Sequence, residues 1–411
     1  RDRARSNALM HAPSHAPEAV ELHVMAGHEH PLEGEAARMH GCFGSCSWEL
    51  PERVTTFDVA ARDYCCDRIM AHEYLDSPEV LRKKVTLLGK LVSAARDPIA
   101  LTGAGISTAA GIDDYASKAK GASLTAAGKP ALKDWKAARP TTAHRCLVAM
   151  HEANILKHWI NQNHDSLPQK AGFPQHALNE IHGSLHDPAN PIVPYEGTLR
   201  DDLFQWMAEW QAKSDLCLAV GTSLSGFNVD SVAEAAIHKR AAGCGLGLVV
   251  INLQQTPYDD GCSLRIFARA DDVLRMLAAE LRLEPLPAES EFRPTLAPGS
   301  LVAEDVVRVP FDSLGAPCSN PERMEIWDLR LGQRLRLTGG PYEGDVGTVM
   351  EKSVDGHYRI RLADSMNTTF NVKRRPFSLW IGSWWLQQAT HGFGLTPAGR
   401  IPFVNERVGS T

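Results

Sequence analysis

The chain has 411 residues, 44% of them hydrophobic and 22% charged, with a formal net charge of −6. That length exceeds one ordinary domain, and the composition is that of a globular protein with ample material for a packed core. The charge balance gives no bulk signal for nucleic acid and no apolar run is long enough to span a bilayer. The nine cysteines are an odd count without the spacing of a disulfide framework, which favours a reducing compartment.

Residues 1–40 are rich in His, Ala, Pro and Glu without periodicity, and are expected to be a disordered tail. His11, His15, His23, His28, His30 and His40 offer imidazoles to a metal, but no Cys partner stands at ligand spacing, so a solvated tail is the simpler reading. An extension over 41–76 carries Cys42, Cys46, Cys65 and Cys66, whose spacings fit no common zinc pattern and read as ordinary thiols. A domain spanning 77–283 opens with Ser77-Pro78-Glu79: a capping hydroxyl, a proline at the first helical position and an acid at the positive end. Val80, Val85, Leu88, Leu91 and Val92 continue a helical period to Arg96.

The pattern then alternates. Strands are expected over 98–102, 155–160, 178–181, 216–220 and 246–251, with helices over 142–152, 230–241 and 271–281. Apolar runs alternating with amphipathic helices imply an α/β fold: a Rossmann-like, doubly wound parallel sheet covered on both faces. A Pro-rich linker (284–300) leads to a C-terminal stretch, 301–411, with short strands expected over 334–338, 347–350, 357–362 and 368–372. These imply a small β-barrel-like, SH3-like domain. The run from Gly339 to Val349 is similar to modules of ribosome- and transcription-associated proteins. Gly-rich hairpins of this kind also arise in many small barrels. Trp380, Trp384 and Trp385 offer an aromatic interface or, more simply, pack against the barrel. Lys373-Arg374-Arg375 reads as a solvated face.

Polar or glycine-rich clusters follow the strands one by one. They are Gly103-Ala104-Gly105-Ile106-Ser107 with Gly111-Ile112-Asp113-Asp114-Tyr115 behind it, Gln162-Asn163-His164-Asp165, Glu180-Ile181-His182-Gly183, Gly221-Thr222-Ser223-Leu224, and Asn252. In an open α/β sheet, ligands bind where strands reach their carboxyl ends, so these clusters converge on one crevice. A glycine-rich turn there either lets the backbone approach a pyrophosphate or merely tightens the connection.

In order and spacing this set resembles the sirtuin family over about half of the chain, Val80 to Leu281. The resemblance implies an NAD domain. Gly103, Ala104, Gly105 and Ser107 would wrap the dinucleotide, and Asp114 and Tyr115 would flank the nicotinamide. Gln162, Asn163 and Asp165 match the family's Gln-Asn-x-Asp, with Asn163 and Asp165 at the ribose and carboxamide. His182 matches the catalytic base, Gly221, Thr222 and Ser223 a loop along the NAD, and Asn252 the adenosine ribose. A neutral histidine suits proton removal near pH 7.

The sequence departs from the family at several places. There is no Cys between Cys146 and Cys217, so the two Cys pairs usual after the catalytic histidine are missing; no structural zinc, no metal site and a reduced small lobe are expected. Asp113-Asp114-Tyr115-Ala116 lacks the family's arginine, with Lys118 or Lys120 as substitutes, and His164, Pro168 and Val193-Pro194-Tyr195-Glu196-Gly197 also differ. The leading expectation is an NAD-dependent protein-lysine deacylase acting on an acyl-lysine protein and releasing nicotinamide and O-acyl-ADP-ribose. An NAD hydrolase, an ADP-ribosyltransferase and a non-catalytic NAD or ADP-ribose sensor stay open. The expected location is intracellular, cytoplasmic or nuclear. Because the chain opens with Arg1, organelle targeting stays open too.

Overall fold

The computed structural model describes residues 33–57, 60, 69–112, 137–194, 197–225, 228–288, 290, 292–362, 378–393 and 399–406. In chain order, the first part comprises α1 (Gly34–His40), β1 (Glu52–Thr55), β2 (Glu73–Leu75), α2 (Pro78–Ala94), β3 (Pro98–Thr102), α3 (Thr142–Glu152), β4 (His158–Asn161) and α4 (Leu167–Lys170). It continues through β5 (Leu178–Glu180), α5 (Asp201–Lys213), β6 (Leu216–Val220), α6 (Asp230–Ala241), β7 (Gly247–Ile251), β8 (Leu264–Ile266) and α7 (Ala270–Glu280).

A six-stranded sheet forms in the order β5-β4-β3-β6-β7-β8, with every pairing parallel. All residues of β3, β4, β6 and β7 are buried, which is why these strands read as unbroken runs rather than alternating ones. Side chains still alternate between faces. Ala100, Leu218 and Val249 join a core with Leu88 and Leu91 of α2, Leu147 of α3 and Leu274 of α7. Ile99, Leu101, Ala219 and Val250 join the opposite core with Leu203 and Met207 of α5 and Val232 of α6. The sheet is therefore doubly wound and Rossmann-like.

Several details correct the sequence reading. Part of the expected tail folds: α1 lies within 1–40, while residues 1–32 lie outside the described residues. Its anchor is tertiary, since Ala37 and His40 are buried and Arg38 pairs with Asp260 at 2.8 Å. The following amides of Cys42 and Phe43 donate to the carbonyls of Cys262 and Ser263, both at 2.9 Å, covering the free edge beside β8. Helix α2 starts at Pro78 as expected, but the Ser77 side chain makes no cap hydrogen bond. The strand expected from 155 begins only at His158. Cys42 and Cys46 are free thiols; Cys65 and Cys66 lie outside the described residues.

The C-terminal unit contains β9 (Leu301–Ala303), β10 (Val306–Val309), β11 (Glu325–Asp328), β12 (Arg334–Leu337), β13 (Val346–Lys352), β14 (Tyr358–Leu362), β15 (Ser378–Ile381), α8 (Trp384–Thr390) and β16 (Phe403–Asn405). A three-stranded sheet (β11-β10-β9) and a five-stranded sheet (β15-β14-β13-β12-β16), both antiparallel, share one apolar interior. Asn405 stitches them together: its Oδ1 accepts from Asp328 N at 2.9 Å and its Nδ2 donates to Asp328 O at 3.0 Å. Trp384 and Trp385 are buried in this interior, which is the packing reading of the tryptophan-rich run. The strand expected over 368–372 and Lys373, Arg374 and Arg375 lie outside the described residues.

Candidate active site

Strand order reverses between β3 and β6, and a crevice at such a point takes its walls from the turns that follow the two strands. Here those turns lean on one another. Gly105 N donates to Gly221 O at 2.8 Å, and Gly221 N to Ile251 O at 2.9 Å. A Cβ on Gly105 would stand 2.7 Å from Gly221 Cα, and one on Gly103 would stand 2.9 Å from Thr222 Cβ. Gly221 has φ +60, and a Cβ there would strike the Ile106 nitrogen. The glycines are thus demanded by turn-on-turn packing. For a ligand the turns offer main-chain donors: the amides of Ala104, Thr222 and Ser223 have no partner among the described residues. Free amides at glycine turns on a strand-end crevice suit the phosphates of a dinucleotide.

The Gln162-Asn163-His164-Asp165 cluster leaves β4 and crosses this floor. Gln162 Nε2 donates to Thr222 Oγ1 at 3.0 Å, joining the β4 and β6 turns. Asn163 Nδ2 donates to Gly103 O and to Ser107 Oγ, each at 3.0 Å. Ser107 in turn donates to Asp165 Oδ2 at 2.7 Å, and Leu167 N donates to Oδ1 at 3.0 Å. Asp165 is buried, and desolvation holds its carboxyl above the ordinary range although these donors pull the other way.

His182 lies just past β5. Its Nδ1 is 3.1 Å from Gln162 O, and because a carbonyl only accepts, Nδ1 carries the proton and Nε2 is the basic nitrogen. Burial, opposed by that hydrogen bond, lowers its pKa to about 4, with His164 adding a smaller push in the same direction. The ring is therefore neutral near pH 7. His164 lies close by, its ring centroid 6.4 Å away and its Nδ1 3.1 Å from Gly183 O. Asn252, at the carboxyl end of β7, donates from Nδ2 to Gln254 O at 3.0 Å. Thr222 Oγ1 also accepts from Leu224 N at 3.3 Å, and Ser223 O accepts from Ser225 Oγ at 3.0 Å. Asp114 and Tyr115, with Asp113, Ala116, Lys118, Lys120, Tyr195 and Glu196, lie outside the described residues.

A buried layer beneath His182 was not singled out from sequence. Glu180 and Asp187 are almost fully enclosed. Burial, reinforced by Asp187, pushes Glu180 up to about 8, and burial pushes Asp187 up to about 6 against the pull of Arg200. The available signal was a carboxylate at the end of a strand otherwise enclosed by apolar neighbours. Among the described residues, no group of three or more His, Cys, Asp or Glu is arranged to hold a metal ion.

The fold and crevice define a class: a Rossmann-like α/β domain with a neutral histidine and a carboxamide–hydroxyl–carboxylate chain at its switch point. By sequence the chain is similar to proteins named as sirtuins. It is 31% identical over 269 residues to human "NAD-dependent protein deacetylase sirtuin-7", covering 54% of this chain and 65% of that protein. It is 29% identical to rice "NAD-dependent protein deacetylase SRT1", covering 52% of each. With Drosophila melanogaster "NAD-dependent protein deacetylase Sirt6" the identity is 27%, covering 54% of this chain and 82% of that protein. The chain spans less than two thirds of the length of the sirtuin-7 proteins it matches, 63% of the mouse protein for example. A solved Sir2 enzyme shares 20% identity at a TM-score of 0.42, covering 49% of this chain and 98% of that one. No protein-family model matches the chain.

Proposed function

We propose that this protein is an NAD-dependent protein-lysine deacylase in which His182 is the general base. The observation that carries the reading is the neutral, buried His182, oriented through Nδ1 by the Gln162 carbonyl, while Gln162 itself reaches the Thr222 turn. The deacetylase names of the relatives support it. Bound NAD would supply an ADP-ribosyl group, with nicotinamide as its leaving group, to receive the acyl group of a lysine. The amides of Ala104, Thr222 and Ser223 would hold its phosphates. Asn163, fixed by Gly103 O and Ser107, and Asp165, fixed by Ser107 and Leu167 N, would orient the ribose and carboxamide. His182 Nε2 would take the proton of a ribose hydroxyl, as a neutral imidazole does near pH 7. Asp114, Tyr115 and Asn252 complete the NAD contacts in this reading. No structural zinc takes part: no Cys stands between His182 and Cys217.

A hydrolase or ADP-ribosyltransferase is the second reading. The short segment between His182 and Val193 favours it, because it leaves little chain to hold an acyl-peptide. The test is nicotinamide release from NAD with and without an acetyl-lysine peptide, beside His182→Ala. Release that requires the peptide and is lost in the variant supports deacylation. Release without peptide transfers the assignment to the second reading, and binding of NAD without release refutes both.

A further inference from the structure

The segment that follows His182 is also where the C-terminal unit meets the parallel sheet. Its internal bonds include Ser184 N to Asn190 O at 2.8 Å, Asn190 N to Asp187 O at 3.0 Å, Val193 N to His182 O at 2.9 Å and Ala189 N to Asp187 Oδ1 at 2.9 Å. Further support comes from both units: Leu185 N donates to His164 O at 3.0 Å and Asn190 Nδ2 to Glu180 O at 2.9 Å on the sheet side. Gly382 N, just past β15, donates to His186 O at 2.9 Å. The His186 ring packs 4.5 Å from the ring of His357 and 5.5 Å from that of Trp384 (centroid distances), both in the C-terminal unit. On its other side His186 Nδ1 lies 3.1 Å from Ser166 Oγ, which is 2.9 Å from Ser184 Oγ, and Ser166 directly follows Asp165. Ala189 is fully buried within the C-terminal unit's own apolar core. Its carbonyl accepts from Arg200 Nη1 at 2.8 Å and lies so close to Gly340 that a Cβ there would overlap it.

We propose that the C-terminal β-unit is the clamp that holds the His182 segment in its working position, with His186 and Gly340 as positioning residues. Contacts from beyond the linker hold one side of this segment, while Ser166, Arg200 and the His164 carbonyl of the parallel-sheet unit hold the other. Neither residue touches the crevice floor; each acts on the segment that leads away from His182. The catalytic part of the inference rests on His182 being the base, whereas the clamp itself does not.

Gly340→Ala in the full chain tests it, because Gly344→Ala is a matched control. Gly344 lies in the same turn with a similar positive φ, +87 against +76, and a Cβ on it meets nothing. Hydrogen exchange at the amides of Ser184, Leu185, Asn190 and Val193 is read with kcat and the KM for NAD. The expected result is faster exchange at those amides and a kcat lowered by about a hundredfold in Gly340→Ala, as a misplacement near 1 Å produces. KM for NAD stays within about threefold, since the glycine turns are untouched, and Gly344→Ala resembles the parent in every readout. Equal behaviour of the two variants, or an unchanged segment in Gly340→Ala, overturns the clamp. Should Gly340→Ala fail to fold, His186→Asn keeps a partner for Ser166 while removing the ring from His357 and Trp384. The same exchange and kcat losses are expected, and their absence is equally fatal. A parent protein that releases no nicotinamide ends the catalytic reading, while the exchange comparison still decides the clamp.

Discussion

At the scale of single residues, the site rests on groups that burial keeps neutral. His182 is one, and Glu180, two positions earlier, is the other. Glu180 titrates near 8 in the folded chain against an ordinary value of 4.5. Between those values the folded state keeps a proton that the unfolded state has lost. The stability tied to that proton is complete below the lower value and disappears as pH rises through the upper one. Glu180→Gln removes the titration while keeping an uncharged group of the same shape, faced by Ser184 and Gln169. The variant's urea midpoint should therefore gain on the parent's as pH is raised from about 5 to about 9. A difference that stays constant across that range would show that Glu180 is already ionised in the fold. His182 has the opposite sign of shift and keeps its base form down to about pH 4, so the acid limb of peptide-dependent nicotinamide release should lie below the usual histidine range. A limb at the ordinary value of 6.5 would mean that ligand binding hydrates the ring or pairs it with an anion.

At the scale of elements, the turns after β3 and β6 set the crevice because each occupies the space a side chain would need on the other. Gly105→Ala puts a methyl 2.7 Å from the Gly221 backbone, which has no flexible end to yield. The expected cost is about 1–3 kcal/mol of stability together with a clear loss of NAD affinity by calorimetry. Unaltered NAD binding would remove this turn from the site. These turns were legible in the sequence because a run such as Leu216–Val220 ending in Gly221 carries its structure locally. Helix α5 was missed in the sequence reading, although its Leu203, Trp206 and Met207 keep helical spacing. Strand β8 was not legible: Arg265 stands in its middle and is buried through Asp259 Oδ1 at 2.9 Å and through the Phe267 ring, 3.6 Å from its guanidinium carbon. Helix α1 escaped for the same reason, since its stabilising contacts are with the segment around β8. In the candidate site, the motif residues were readable but much of their bracing was not: besides Ser166, what fixes His186 is His357 just before β14, the turn after β15 and Trp384 of α8, far along the chain.

At the scale of the whole molecule, buried neutral histidines bind the stability of both units to pH. Burial brings His40, His182 and His357 to about 4 and His144 to about 3, and holds His158 well below its usual value. An unfolded chain would protonate all of them below about 6.5, while the folded one does not until near 4. Stability is therefore lost on acidification through that interval. Glu180 and Asp187 act in the other sense, losing stability as pH rises, so the two sets together place the most stable range near neutrality. His158 isolates the histidine contribution. Its ring stacks on Trp210 at 4.7 Å and meets Trp206 edge-on at 4.4 Å, and neither ring nitrogen has a partner among the described residues. His158→Phe retains an aromatic ring in that slot and removes the proton-binding group from both the folded and the unfolded chain. Its melting temperature should be close to the parent's near pH 7.5 and should exceed it increasingly toward pH 5, because each pKa unit of difference is worth about 1.4 kcal/mol. Parallel curves for parent and variant over that range would mean that the folded chain protonates His158 as readily as the unfolded one, and that the aromatic slot admits water.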